Sequence, residues 1–409
     1  MLQGWVVVLI ALAYIGFLFL VASYGDRMRA AGRDAASRLW IYPLSLAIYC
    51  TSWTFFGSVG LASRGGYDFL AIYIGPMLMV GLGYPLIARI VRLAKKQNIT
   101  SIADLIAARY GKSQAVAATV ALIAIIGMIP YIALQLKAVS TSVGTIMTAA
   151  APDGALQPML GDSALLIALF MAAFAVLFGT RHTDATEHQD GLMLAIATES
   201  IVKLAAFLAV GVFVTFVLYP GPLALFSRAL AKPEIAKVIT QAPPFANFCA
   251  MAVLSLFAIV LLPRQFHVSV VENRSEAEIR RAAWLFPLYL VLINLFVLPI
   301  AVAGLLGLPS SLFHGDMFVL AVPLAAHSTL MTVIAFVGGL SAATAMVIVE
   351  SVALAIMVSN DIVVPLLLQR RTARIGEASN AGARLLITRR IAIFMILFLA
   401  YEDYRSAGD

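Results

Sequence analysis

A few ionisable side chains sit in stretches that are otherwise apolar, and they are the first candidates for chemistry. A charge at bilayer depth costs several kcal/mol, so it is kept for a reason. Glu199 and Lys203 are four residues apart, on one face of a helix and in the favourable acid-first order. They can neutralise each other, either as a structural pair or as part of a pathway. Just upstream, Asp184, Glu187, His188 and Asp190 crowd the start of the same helix. A histidine beside carboxylates can relay a proton or draw in a cation. The same acids also suit a solvated helix start, where they favour the dipole. With one histidine and no cysteine in reach, this cluster does not suit zinc, and no metal centre is expected. Glu350 lies deep in another apolar stretch, near Ser341, Thr344 and Ser351. It must be protonated or paired with a distant Lys or Arg. That leaves it as an ion-coupling group or a buried hydrogen-bonded acid.

A second group is polar without being charged. Residues 49–60 read Tyr-Cys-Thr-Ser-Trp-Thr-Phe-Phe-Gly-Ser-Val-Gly. Hydroxyls alternate with aromatics and two glycines follow, which is poor material for a regular lipid-facing helix. It suits an interrupted helix whose freed carbonyls line a cavity. Thr51, Trp53 and Gly57 are the expected solute-lining residues; simple helix packing is the alternative. Pro130, Tyr131 and Gln135 can kink another helix in a similar way.

These residues need a scaffold that tolerates them. Of 409 residues, 62% are apolar and only 12% are charged, and mean hydropathy is +0.96. Ten segments are long enough to span a bilayer: about 3–24, 40–61, 69–92, 115–138, 163–180, 190–219, 245–263, 282–307, 325–359 and 385–402. The gaps between them carry the positive charge unevenly. Of 28 Lys and Arg residues, 21 fall in alternate gaps, starting with the first. Only Arg64, Lys137, Arg228, Lys232, Lys237 and Arg405 fall in the others or the tail. This bias places the N-terminus outside and the basic gaps in the cytoplasm. It also explains the net charge of +7 without nucleic acid as a partner. The expected partners are the lipid bilayer and a small solute. Cys50 and Cys249 both sit in apolar segments and form no disulfide framework. In the third gap, Ser101 and Asp104 read as a helix cap opening a short surface helix.

Three stretches resemble the sodium/solute symporter family, which includes the bacterial sodium/proline symporters. They are the second span, Ile99–Gly111 and Gly339–Met346. Two more, Gly179–Gly191 and Pro263–Val268, are similar to the membrane half of sensor histidine kinases with a symporter-like N-terminal domain. The resemblance extends over essentially the whole chain. It implies an all-α integral membrane protein of the LeuT-type inverted-repeat fold in a bacterial inner membrane, as a single polytopic domain over residues 1–409. One extra N-terminal helix comes first. Spans two to six form repeat one, and repeat two starts at span seven and is incomplete. The chain is expected to be a truncated piece, with no catalytic kinase region of its own. A cytoplasmic kinase or response-regulator system is the implied partner, and no organic cofactor is implied.

Carried over residue by residue, the resemblance keeps Trp53 and Gly57 as site residues. Tyr49 stands where the proline symporters have an acid, while Ala47 and Cys50 still offer backbone carbonyls. Ala345 and Met346 stand where the family's sodium site uses an adjacent Ser-Thr pair. Ser341 or Thr344, one turn away, are the substitutes. The family's acid in the sixth span falls on Thr186, with Glu187 adjacent. The expected function is therefore a symporter-like domain that binds or moves a small solute, an amino acid by resemblance. A proton is at least as good a candidate for the coupling ion as sodium, through Glu187, His188 or Glu350. A purely sensory module and an inactive truncation product are the alternatives.

Overall fold

The computed structural model describes residues 4–30, 35–150, 163–179, 189–309, 314–366 and 381–407. Every regular element among them is helical. This is the expected response to a bilayer, because a helix satisfies its backbone polar groups within one segment.

The chain begins with α1 (Gly4–Ala30) and α2 (Ala35–Leu46). After an interruption come α3 (Ser58–Gly65), α4 (Ala71–Gly81) and α5 (Tyr84–Gln97). The short α6 (Ile102–Arg109) is capped by Ser101, whose Oγ accepts from the Asp104 N–H at 3.0 Å. Next are α7 (Gln114–Ala150), α8 (Ser163–Gly179) and α9 (Asp190–Val212). Prolines open two short helices, α10 (Pro222–Leu230) and α11 (Pro233–Thr240). Then follow α12 (Phe245–Leu261), α13 (Pro263–Phe266), α14 (Glu276–Asn294) and α15 (Val297–Gly307). The last three described are α16 (Phe318–Ala325), α17 (Thr329–Met357) and α18 (Ala381–Ser406).

Among the described residues, five helices are long and apolar enough to cross a membrane, or up to seven if two sharply bent pairs each count as one span. Two shorter apolar helices, Leu165–Leu177 and Gly315–Ala325, lie beside them. Leu20, Leu82, Leu223 and Phe245 are each more than 70% exposed on the outer faces. Exposed apolar surface on helices long and apolar enough to cross a bilayer marks a multi-pass membrane protein. Some spans differ in detail from the hydropathy reading. The third divides between α4 and α5. The eighth starts earlier, at Glu276, because Ser275 and Glu278 form a reciprocal capping box that fixes a helix start whatever its hydropathy. The ninth is preceded by a turn in which His327 has φ of 55°, which separates α16 from α17.

α17 is the central post. It packs on α7, α8, α9 and α18, and 83% of its most apolar stretch is buried, against 17% for α7. α1 lies along α9, α12 lies along α4, and α14 crosses both α2 and α4.

Side chains from the basic gaps meet at one end of this bundle. Arg38 pairs with Glu278 and Asp190, and Gly191 N–H donates to Asp26. Lys95 donates to Asn273 at 3.2 Å, and Asn360 donates to Thr100 at 3.2 Å. At the other end, Arg64 faces Asp316 at 3.6 Å. The charge bias in the sequence leads to the expectation that this end is cytoplasmic. A lone cysteine at Lys112, in a background lacking Cys50 and Cys249, should react with an impermeant thiol reagent only after permeabilisation. A cysteine at Lys232 should react in intact cells. The reverse pattern would invert the orientation.

Candidate functional site

The second span breaks in mid-course. α2 tightens into a 3₁₀ turn over Ala47–Tyr49, and Cys50 is extended at ψ of 95°. The chain resumes as a wide π-type turn over Trp53–Gly57 before α3. The two halves meet at a 65° bend. Such a break strands backbone groups in a dry interior, and each stranded group must find a partner. Gln135 of α7 meets one of them. Its Oε1 accepts from the Ser52 N–H at 3.1 Å and from the Ser52 hydroxyl at 2.6 Å. Thr51 meets another, since its Oγ1 accepts from the Trp53 N–H at 3.2 Å. The same hydroxyl lies 3.2 Å from the Tyr131 hydroxyl of α7. Trp53 is half-buried, and a Cβ added at Gly57 would sit 3.1 Å from its indole. Gly57 is therefore what lets Trp53 lie close to the backbone.

On the carbonyl side of the break stands Lys203, 1% exposed, reaching across from α9. Its Nζ donates to Ala47 O at 2.8 Å and to Cys50 O at 2.7 Å. Glu199, one turn earlier, turns to α17. Its carboxylate accepts from the Thr344 hydroxyl, and its backbone carbonyl accepts from the Ser341 hydroxyl at 2.8 Å. The expected Glu199–Lys203 pair is thus not a contact ion pair in the described structure. The lysine is drawn to the carbonyl ends of the broken helix, and the acid to a hydroxyl donor.

A second break faces the first. α12 ends at Leu261, Leu262 is extended, and Pro263 opens α13, which leads into a π-type turn over His267–Val271. Arg264, in the first turn after this break, is 1% exposed. Its Nη1 donates to Glu350 of α17 at 2.9 Å, and its guanidinium lies 4.9 Å from the centre of the Tyr131 ring. Glu350, fully buried, thus has a distant arginine as its partner. Several polar atoms here have no hydrogen-bond partner: Arg264 Nε, Glu350 Oε1, and both Gln265 amide atoms. Tyr131 joins the two breaks, with its hydroxyl on Thr51 and its ring under Arg264.

Close packing fixes the first break against α17. A Cβ at Gly338 would lie 2.7 Å from the Phe55 ring, and one at Gly339 would lie 2.2 Å from Phe56. The Gly339–Met346 run therefore has a steric task at its first residue. Farther along it, Ala345 and Met346 are buried and apolar.

Thr51, Trp53, Gly57, Ala47, Cys50, Lys203, Glu199, Ser341 and Thr344 are thus gathered around the first break. Glu350 belongs to the second. Glu187 and His188 lie outside the described residues, as do Asp184 and Thr186. The sequence reading gave no role to Arg264 or Gln265 individually. The signal that points to them is Pro263, which starts a helix immediately before a basic and an amide residue at the end of an apolar segment.

No family model matches the chain. An uncharacterised symporter of Bacillus subtilis (strain 168), YhjB, is 24% identical over 299 residues, which is 72% of this chain and 57% of the relative. The chain thus spans just over half of that relative's length. A solved structure of a Na+-coupled sialic acid symporter, substrate-bound and outward-open, superposes on 98% of this chain and 82% of that one. Its TM-score is 0.66 at 14% identity. The fold is that of a sodium-coupled symporter. Within it, the two interrupted helices bring the polar residues into the middle of the bundle.

The Arg264–Glu350 pair yields a stability prediction. Glu350→Gln leaves a buried guanidinium without its counter-charge, which should cost about 3–5 kcal/mol. The unfolding midpoint in detergent should fall sharply. Combining it with Arg264→Met should recover most of the loss. Strictly additive losses in the double variant would show that the two charges are energetically independent.

Proposed function

We propose that this chain binds a small zwitterionic solute between its two broken helices, as the solute-handling domain of a symporter-type membrane protein. The observation that carries this reading is the set of unpartnered polar atoms at the second break: Arg264 Nε, the Gln265 amide and Glu350 Oε1. Buried polar groups are nearly always satisfied, so such a set calls for water or a ligand. The donors and acceptors there are of both kinds. A solute carboxylate suits the Arg264 Nε–H and the Gln265 amide donors, and a solute ammonium suits the free Glu350 oxygen. Because Arg264 and Glu350 already balance each other, a net-neutral zwitterion is favoured over a lone anion. Trp53, half-buried at the other break, offers an apolar face for an aliphatic body. An amino acid has this chemistry. The solute named for the structural neighbour is sialic acid, so the fold by itself does not select the solute.

The kinase relay expected from the resemblance rests on Gly179–Gly191 and Pro263–Val268. The first of these lies mostly outside the described residues. The second has a local task, since Arg264 ties α13 to α17. Solute binding is the reading that this task supports.

A thermal-shift screen of the standard amino acids on the purified protein tests the proposal. At least one should raise the unfolding midpoint in a saturable way. Gln265→Ala removes an amide that has no partner, so folding should be little affected. The same change, or Trp53→Ala, should weaken solute binding at least about tenfold, equivalent to about 1.4 kcal/mol. Unchanged affinity in both variants would place the solute elsewhere, and no response to any amino acid would reject the zwitterion.

A further inference from the structure

We infer that Lys203 is a tethered cation occupying a cation position built by the broken second helix, so that sodium has no vacancy there. This rests on reading the break as part of the solute site.

The argument begins with the carbonyls. α2 and its 3₁₀ turn end at Tyr49, and the last carbonyls of a helix carry the negative end of its dipole. Two of them, from Ala47 and Cys50, converge on one point, and that point is filled by Lys203 Nζ at 2.8 and 2.7 Å. A half-helix ending in mid-bundle with convergent carbonyls is the arrangement that holds a monovalent cation in membrane transporters. Here the cation belongs to the chain.

The surroundings suit a cation more than a neutral donor. Glu199 is on the same helix one turn away, its carboxylate held by Thr344. The guanidinium of Arg264 is turned to Glu350 and the Tyr131 ring, away from these two carbonyls, which accept from Lys203. Lys203 is itself 1% exposed, and a buried ammonium needs this kind of partner set to be tolerated. Its four-carbon stem also links α9 to the break, giving it a second attachment beside Gln135.

A bound sodium ion and a tethered ammonium have different consequences. A sodium ion leaves when its concentration falls, and the break then loses its cation. Lys203 does not leave, so the break stays satisfied in sodium-free solution. If the amine is removed, two carbonyl oxygens are left facing a hole the size of a small cation. That hole should accept sodium.

The test needs no solute, so its failure is separable from failure of the zwitterion proposal. Wild type, Lys203→Ala and Lys203→Ser are purified in detergent. Their unfolding midpoints are measured in sodium chloride and in choline chloride at equal ionic strength. Sodium should raise the midpoint of the variants above any change in wild type by at least about 2 °C, a shift on the order of 1 kcal/mol. Equal sodium responses in wild type and both variants, including no response in any, overturn the inference. If neither variant folds, the wild type decides. A midpoint unchanged by sodium supports the tethered cation, and a rise of the same 2 °C overturns it.

Discussion

The structure depends on one constraint: a helix interrupted inside a bilayer must find partners for the backbone groups it frees. Water is not there to supply them. At the second span the amide side is met by Gln135 and Thr51, and the carbonyl side by Lys203. These partners come from α7, from the break itself and from α9. The position of each helix is therefore tied to the break. α17 then closes over it through Gly338 and Gly339, where side chains would collide with Phe55 and Phe56.

The second break follows the same logic with a different solution. Pro263 opens α13 without needing an N–H partner of its own. Arg264 then reaches α17, and Tyr131 lies between the two breaks. Together the breaks make the centre of the bundle polar while its outer faces stay apolar. The ends are held separately, by side chains that connect the basic gaps to one another at one end and by Arg64 with Asp316 at the other.

Much of this was legible in the sequence. The aromatic, hydroxyl and glycine run at 49–60 signalled an interruption because it fits no regular lipid-facing helix. Glu350 signalled either a protonated acid or a distant basic partner, because a lone buried acid is costly, and Arg264 is that partner. What stayed hidden shares a cause. The partners of Lys203 are backbone carbonyls, and every residue has one, so no residue type marks them. Spacing made Glu199 its obvious mate, yet the folded bundle offers better partners more than 140 positions away in sequence. The Arg38 cluster is similar, since Asp190 and Glu278 are distant in sequence and look like ordinary helix-start acids. Helix ends depart from the hydropathy limits where capping outweighs hydropathy, as at Ser275.

The acid-first spacing on α9 still matters, but at another stage in the life of the chain. While α9 is entering the bilayer, neither the carbonyls of the break nor Thr344 need be in place. A helix carrying Glu199 and Lys203 one turn apart can then shield each charge with the other, which eases insertion. In the folded bundle the two side chains are held instead by Thr344 and the broken helix. The local spacing and the tertiary contacts thus offer the same two residues two different sets of partners.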